Sequence, residues 1–489
     1  MAATVNTNTN NAPSGFTDDS ATAAYPPASS SWQYGFLEEP REGALPKDSV
    51  WDRLRPLAEM LKTPCDPDLY RSSLEELDAA EGEDIARTIE AAVPTMSLTD
   101  VAHAYSTLTF LCQKYVYAIP GDLRSHIPRC IGRPFIKVGE RRGCPLSLTY
   151  DALVIGNWYL RDPTQPPTVD NVDAYLAVNG TEPERGFIRV HIAIEAAAQD
   201  IPARMLRLGS EVDAQPTPEQ KAATINHFLS DAYTCLDNMK NIIGTMWRQV
   251  HHEVYWREVR VTLMGSPVEV FPDGVQIDST DVILSRKGGS GAQSPLMHAV
   301  DRFFAVDHVD PDLPANDMSP SQAATLRSLE APPEHARRFI HEQIDFMCVR
   351  HRGFHQELAL VPNARQLVLA HGDAESARLY NDCVGLLEKW RKVHQKLTHK
   401  YIAERVEAMM AQPSSANATD GGVHIVGTEK GAQHSNFKPL LAQLILETEL
   451  AKLPTSTVEQ QRRALGNEQQ DEEEATSKRG GAGGNCSVM

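Results

Sequence analysis

The sequence predicts an all-α protein, and three observations lead to this prediction. Apolar residues recur at three- and four-residue spacing over long stretches, above all between residues 379 and 410. Alternation of apolar and polar residues is confined to a short segment at 254–263, where a strand stays open as an alternative. At 489 residues the chain is long enough for a large core and more than one domain.

Composition divides the chain into four parts. Both ends are polar and poor in apolar residues, so both are expected to be disordered. A Pro-, Gly- and Arg-rich stretch at 118–145 has the composition of a connector. The expected parts are a disordered tail at 1–31, a small helical domain with its connector at 32–145, a large helical domain at 146–453 with a mobile loop at 412–435, and a disordered tail at 454–489.

Helical patterns occupy definite positions within these domains. Each pattern places apolar residues on one face, which predicts that this face is buried. The predicted helices lie at 74–93, 98–117, 146–160, 187–201, 218–247, 254–263, 296–306, 323–329, 335–350, 363–370, 379–410 and 436–453.

Charge and cysteine usage exclude several functional classes. With 65 acidic against 47 basic residues the net charge is −18, which argues against binding of nucleic acid. Eight scattered cysteines without a metal-ligand spacing are typical of a reducing compartment. The sequence contains neither a secretory signal nor an apolar run long enough to span a membrane. A cytoplasmic protein is therefore expected.

Two histidines lie on apolar helix faces. His394 follows Trp390 and precedes Leu397 in the longest pattern, and His191 shares a face with Phe187. A buried imidazole needs a partner for each nitrogen. For such a histidine taken alone a carbonyl or hydroxyl is the ordinary partner, and the alternative for His394 is the iron of a haem.

Arg260 and a glycine-rich stretch are further candidates. Arg260 lies inside an apolar segment, where a guanidinium needs a carboxylate from the core or from a ligand. The stretch SRKGGSGAQS at 285–294 opens a predicted helix and has the backbone donors that bind an anion. It lacks the ending of a P-loop, and a flexible connector is the commoner meaning.

Several ordered blocks together resemble the indoleamine 2,3-dioxygenase family. They are TYDALVIGNWYLRDP at 149–163, GFIRVHIAIEAAA at 186–198, REVRVTLMG at 257–265, GGSGAQS at 288–294, and HGDAESARLYNDC leading to WRKVHQKLTHKYI at 371–402. The resemblance covers roughly residues 32–453. It implies an all-helical fold with a small and a large domain, the haem being held in the large one.

The resemblance also implies roles for residues at the haem. His394 matches the axial ligand of the iron, in a haem b that is ferrous in the active form. Arg391 matches an arginine near the haem propionates, and Asp301 an aspartate behind the residues that contact the haem. Ser290 and Gly291 match a loop along the haem edge and the substrate pocket.

The resemblance also implies roles for residues around the substrate. Tyr150 and Phe187 match aromatic walls around an indole, and Tyr255 stands where the family usually has phenylalanine. Arg260 matches the arginine that binds the substrate carboxylate. We expect Arg260 and Ser290, on the strength of the resemblance, and also His191, discussed below, to take part in catalysis.

The implied reaction opens the indole C2–C3 bond of tryptophan with O₂ and gives N-formylkynurenine. This is the first step of the kynurenine route of tryptophan catabolism and of NAD synthesis. The expected partners are the indole substrate, O₂ and a reductant, and a monomer is expected. The alternative is a haem protein of the same fold that binds or senses O₂ with little or no turnover of tryptophan.

Two departures from the family pattern stand out. His191 occupies a position where animal members carry a small hydroxyl residue, and in this it resembles the tryptophan 2,3-dioxygenases. Our hypothesis is that its neutral imidazole bonds either the indole N–H or the bound oxygen, according to its tautomer. The family's GTGGT-like element is present only as GTEKGA at 427–432, where Thr428 is expected to help close the site.

A last feature lies outside the resemblance. The chain ends in Cys486-Ser487-Val488-Met489, a C-a-a-X pattern whose final methionine suits farnesylation of Cys486. A single prenyl chain gives weak, reversible anchoring, so membrane association is expected only if Cys486 is prenylated. A chance match is the other interpretation.

Overall fold

The computed structural model describes residues 33–119, 121–309, 320–328, 335–410 and 437–454. Helices make up most of these ranges and the strands are few and short, which confirms the predicted all-α class. The helices are α1 (Arg55–Met60), α2 (Pro67–Ala92), α3 (Leu98–Tyr117), α4 (Arg129–Arg142), α5 (Glu182–Ala196), α6 (Ile201–Asp213), α7 (Pro218–Ile243), α8 (Met246–Gln249), α9 (His252–Val254), α10 (Arg260–Leu263), α11 (Pro295–Phe303), α12 (Pro320–Ser328), α13 (Ala336–Ile344), α14 (Val349–Leu358), α15 (Ala364–His371), α16 (Ala374–Thr398), α17 (Glu404–Met410) and α18 (Phe437–Leu450).

Short strands and wider helical turns complete the described fold. The strands are β1 (His126–Ile127), β2 (Trp158–Leu160), β3 (Val172–Ala174) and β4 (Gln276–Ile277). β1 pairs with β4 in parallel and β2 pairs with β3 in antiparallel orientation. Three π-helical turns lie at Asp151–Ile155, Tyr255–Val259 and His399–Ala403. In the described ranges no helix is long and apolar enough to cross a membrane.

The prediction of a connector at 118–145 is wrong for half of this stretch, because Arg129–Arg142 forms helix α4. Helix α4 packs there against α2 and α3, although its sequence contains Pro134 and two glycines. The glycines are needed for close packing, because a Cβ at Gly132 would lie 2.5 Å from the side chain of Ile277. Tertiary packing therefore overrides the weak helix propensity of this stretch.

The predicted helix at 146–160 is also corrected. Only Asp151–Ile155 is helical, as a π-turn, and Trp158–Leu160 is a strand. The amide of Asn157 donates to the carbonyls of Leu153 (3.2 Å) and Leu176 (2.9 Å), and its oxygen accepts from the Leu176 N–H (2.9 Å). This side chain substitutes for the next helical hydrogen bonds and directs the chain into β2.

The segment at 254–263 is helical, so the strand alternative is wrong. The predicted helix at 187–201 begins earlier and ends earlier than expected, as α5. The predicted helix at 335–350 is divided into α13 and the start of α14. The longest pattern is confirmed as α16, which continues through a π-turn into α17.

Helix α16 is the central element of the larger part of the molecule. Asp373 caps it by accepting the backbone N–H of Ser376 at 2.8 Å, while the Ser376 hydroxyl accepts the backbone N–H of Asp373 at 3.1 Å. Along its length α16 packs against α7 and α18. The expected division into domains at 32–145 and 146–453 stays a prediction.

A buried ion cluster joins the N-terminal segment to the first π-turn. Arg142 is wholly buried and donates to both carboxylate oxygens of Asp151, at 2.9 and 2.8 Å. It also donates to Glu38 at 2.7 Å. Both carboxylates are buried as well, so each of them depends on the Arg142 cation for its stability.

We expect Arg142→Ala to destabilise the protein by about 3–5 kcal/mol, because two buried carboxylates then lose their cation. The free energy of unfolding in urea measures this effect. Arg87→Ala is the matched control, since Arg87 pairs with Asp84 at 2.8 Å but is 70% exposed. That change is expected to cost at most about 1 kcal/mol. Equal losses in the two variants would contradict the prediction.

Candidate functional site

A cavity of about 280 Å³ lies between α5, the Tyr255–Val259 turn, α16 and α18. It brings together most of the residues that the sequence singled out. Those on its wall are Tyr150, Phe187, His191, Tyr255, Arg260, Ser290, Gly291, Asp301, Arg391 and His394. Thr428 and Cys486 lie outside the described residues.

His394 faces this cavity from α16. Its ring stacks on that of Trp390, with centroids 5.6 Å apart and planes 20° from parallel. Burial, with smaller effects from His191 and Arg391, lowers the pKa of His394 to about 4. Among the described residues neither ring nitrogen has a hydrogen-bond partner. The imidazole is therefore neutral at physiological pH and has a lone pair for a metal.

The hydrogen bonding of His191 determines its tautomer. Nδ1 lies 2.9 Å from the carbonyl oxygen of Phe187, and a carbonyl only accepts, so Nδ1 carries the hydrogen. Nε2 then carries a lone pair. Burial lowers the pKa of His191, which keeps the ring neutral. The ring is held between Phe187 and Tyr150, at centroid distances of 4.6 and 6.0 Å.

Arg391 is bound mainly by the protein itself. One terminal nitrogen donates to both oxygens of Asp301 at 2.5 Å, and the other donates to the carbonyl of Leu444 (3.1 Å) and to Thr448. Burial alone would raise the pKa of Asp301, but Arg391, His308 and His298 together outweigh it and hold that pKa below its usual value. The pair thus joins α11, α16 and α18 at the edge of the cavity.

His308 extends this network. Its Nδ1 lies 2.7 Å from Glu447 and its Nε2 lies 3.5 Å from Asp301. Burial alone would lower the pKa of His308, but the hydrogen bonds and charges of Asp301 and Glu447 outweigh it and raise the pKa to about 9. His308 is therefore a cation at neutral pH.

Arg260 reaches the cavity from α10. Its guanidinium carbon lies 5.1 Å from the centroid of the Trp256 ring, and the residue is buried. Burial lowers the pKa of Arg260, partly offset by Tyr255. A buried arginine on a cavity wall suits a ligand carboxylate.

The glycine-rich loop forms another part of the wall. A Cβ at Gly289 would lie 2.7 Å from the carbonyl oxygen of Leu148, so only glycine fits this close approach. The Ser290 hydroxyl accepts the backbone N–H of Ala292 at 3.2 Å. Gln293 accepts the Tyr150 N–H (2.8 Å) and donates to the Gly288 carbonyl (3.0 Å), which fixes the loop beside Tyr150.

The donor set and the walls fit a haem. A neutral imidazole with no bonded partner in the described chain is a suitable axial ligand. Apolar side chains such as Leu263, Leu397 and Leu444 supply flat contact surface, and the loop presents backbone without bulky side chains. This arrangement can hold a planar apolar group that carries one metal.

Sequence reasoning missed Gln293, His308 and Glu195, which support the site from behind. Their partners are distant in sequence, so no local spacing indicates them. Glu195 alone left a signal: it is a charged residue one turn after His191 within an apolar run.

We expect a stabilising contribution from His308 that depends on pH. Its folded-state pKa of about 9 lies above the ordinary value of 6.5, so the contribution is complete below about pH 6.5 and is lost as pH rises through about 9. Its size is about 3 kcal/mol. Urea unfolding of the wild type and of His308→Gln between about pH 6 and pH 10 measures it. Parallel pH profiles for the two proteins would contradict this assignment.

Comparison with known proteins agrees with these features. The family model described as indoleamine 2,3-dioxygenase matches residues 31–488. Indoleamine 2,3-dioxygenase 2 of Mus musculus is 26% identical over 358 residues, which cover 70% of this chain and 79% of the mouse protein.

Fungal relatives are similar at the same level. Indoleamine 2,3-dioxygenase of Saccharomyces cerevisiae is 24% identical over 62% of this chain and 65% of its own length. A 6-hydroxytryptophan 2,3-dioxygenase of Fusarium equiseti is 23% identical over 61% of this chain and 68% of its own length. With the family model spanning nearly all of the sequence, this chain belongs to the indoleamine 2,3-dioxygenase family.

Proposed function

We propose that this protein is a haem-dependent dioxygenase that opens the C2–C3 bond of an indole with O₂, converting tryptophan to N-formylkynurenine. The observation that carries the proposal is the pairing of two neutral imidazoles in one cavity. His394 has an uncommitted lone pair for iron, and His191 has an acceptor nitrogen for the substrate. Family membership supports the class of reaction.

His394 would hold the iron of haem b, and Ser290 and Gly291 would border the macrocycle. Bound ferrous haem supplies the binding and activation of O₂. Arg391 would act at the edge of the haem mainly by holding α11 and α18 against α16. Most of its N–H donors are already bound by Asp301, Leu444 and Thr448.

His191 would accept the indole N–H through Nε2. Of the two tautomers that the sequence left open, the bond from Nδ1–H to Phe187 favours this one. Phe187, Tyr150 and Tyr255 would pack against the indole ring, and Arg260 would bind the substrate carboxylate as a charge-assisted pair. These contacts orient the substrate and exclude water.

The identity of the indole is part of the proposal. The Fusarium relative is named for 6-hydroxytryptophan, and Tyr255 adds a hydroxyl to the wall of this cavity. Tryptophan is proposed as the substrate, and its product would enter the kynurenine route towards NAD.

The deciding experiment is an assay of the haem-loaded protein with tryptophan, O₂ and a reductant, with N-formylkynurenine as the readout. Turnover supports the dioxygenase. A protein that binds haem and O₂ but forms no ring-opened product from tryptophan or 6-hydroxytryptophan would instead be the O₂-binding alternative.

We expect His394→Ala to lose haem, because the variant lacks the imidazole that is proposed to bind the iron. The Soret absorbance of purified protein measures this loss after reconstitution with haem. His399→Ala is the matched control, since His399 follows the same helix but its side chain is 58% exposed. An unchanged spectrum in His394→Ala would contradict the proposed ligand.

We expect His191→Ala to retain haem but to lower kcat/KM for tryptophan by at least about tenfold. This corresponds to the loss of one hydrogen bond of about 1.5 kcal/mol to the substrate. Soret absorbance and steady-state kinetics separate the two effects. Loss of haem in step with activity would count against a role for His191 on the substrate side.

A further inference from the structure

A buried carboxyl lies directly behind the cavity wall. Glu195 is wholly buried on α5, one turn after His191. The Tyr150 hydroxyl lies 3.1 Å from its Oε1, and the Ser294 hydroxyl lies 2.5 Å from the same oxygen. Among the described residues, Oε2 has no hydrogen-bond partner.

These two bonds connect three walls of the cavity. Tyr150 enters the first π-turn and its ring contacts His191. Ser294 caps α11 by accepting the N–H of Met297 at 3.2 Å, and α11 carries Asp301. A single carboxyl on α5 therefore holds the π-turn and the start of α11 in fixed relation to His191.

We propose that Glu195 is a positioning residue that holds Tyr150 and Ser294 in the arrangement needed for substrate binding beside His191. This rests on the proposed function, since the substrate is the indole described above. Glu195 does not line the cavity and acts only through the two hydroxyls.

The environment of Glu195 makes this action sensitive to pH. Burial raises the pKa of Glu195 to about 7, and the hydrogen bonds from Ser294 and Tyr150 lower it only in part. In the described chain these hydroxyls are the groups that face the carboxyl, and no cation acts on it. The carboxyl thus changes charge close to neutral pH.

Ionisation of Glu195 strengthens its hydrogen bonds from Tyr150 and Ser294. The ionised carboxylate accepts from both hydroxyls in charge-assisted bonds, which are stronger than bonds between neutral groups. The oxygens of the protonated acid are weaker acceptors, and its O–H is a donor that itself needs an acceptor. Tyr150 is therefore held more firmly as pH rises through about 7, and the KM for the indole falls.

Glu195→Gln tests the proposal in the haem-loaded protein. The amide is isosteric and can still accept from both hydroxyls, but it stays neutral at every pH. We expect the wild-type KM for tryptophan to fall through a midpoint near pH 7 and the variant's KM to lack this transition. At about pH 8 the variant's KM should be about fivefold higher, with kcat much less changed.

Glu184→Gln is the control on the same helix. Glu184 is also buried, with its pKa raised to about 7, but it accepts the backbone N–H groups of Val178 (2.9 Å) and Asn179 (2.7 Å). Its replacement should leave the pH profile of KM unchanged. A pH transition that persists in Glu195→Gln, or that disappears equally in Glu184→Gln, overturns the proposal.

Infrared difference spectroscopy between about pH 6 and pH 8 tests the carboxyl without turnover. We expect carbonyl bands from two buried carboxylic acids in the wild type, Glu195 and Glu184. The Glu195 band should be shifted by Tyr150→Phe and lost in Glu195→Gln, while the Glu184 band remains. Absence of the Glu195 band, or its indifference to Tyr150→Phe, overturns the proposal. A wild type that shows the Glu195 band but opens no indole refutes the proposed function instead, and leaves the Glu195 contacts supported.

Discussion

The site depends on keeping the imidazole of His394 neutral in a wall where the described chain gives it no hydrogen-bond partner. A protonated imidazole has no lone pair to donate, so desolvation is what makes this residue available as a metal ligand at neutral pH. Desolvating a polar ring without pairing it costs free energy. Helix α16 must hold the ring in place against that cost, and its Asp373 cap and its packing against α7 and α18 provide the rigidity.

The charge of Arg391, on the same side of the cavity, also lowers the pKa of His394. Arg391 lies one turn before His394, and its cation further disfavours protonation of the imidazole. That cation is stable in the interior only because Asp301 accepts from it with both oxygens, and His308 and Glu447 extend the network to α18. Arg391, which this ion network holds in place, therefore adds to the effects of burial and of His191 that lower the pKa of His394.

Sequence reasoning succeeded where local periodicity and packing agree. The pattern around His394 gave α16 and the inward direction of its histidine, since one apolar face over many turns has a single interpretation. It failed at α4, where Pro134 and glycines favour a connector and only contacts with α2 and α3 make the helix stable. It also gave no indication of His308, because Glu447, which pairs with its Nδ1, lies on a helix remote in sequence.

The side chains around His394 and those around His191 are held in place by different kinds of interaction. Beside His394 the protein pairs full charges, those of Arg391 and Asp301, whereas His191 itself is paired with a neutral group, the carbonyl of Phe187. Because Nδ1–H of His191 is held by Phe187, its other nitrogen can only accept, and a ring without an N–H would leave that acceptor buried and unpaired. If the indole binds as proposed, this tautomer favours an indole over an isosteric ring that lacks an N–H. In the same proposal the imidazole must stay in place, and the Tyr150 ring packs beside it while the Tyr150 hydroxyl donates to Glu195 behind the wall.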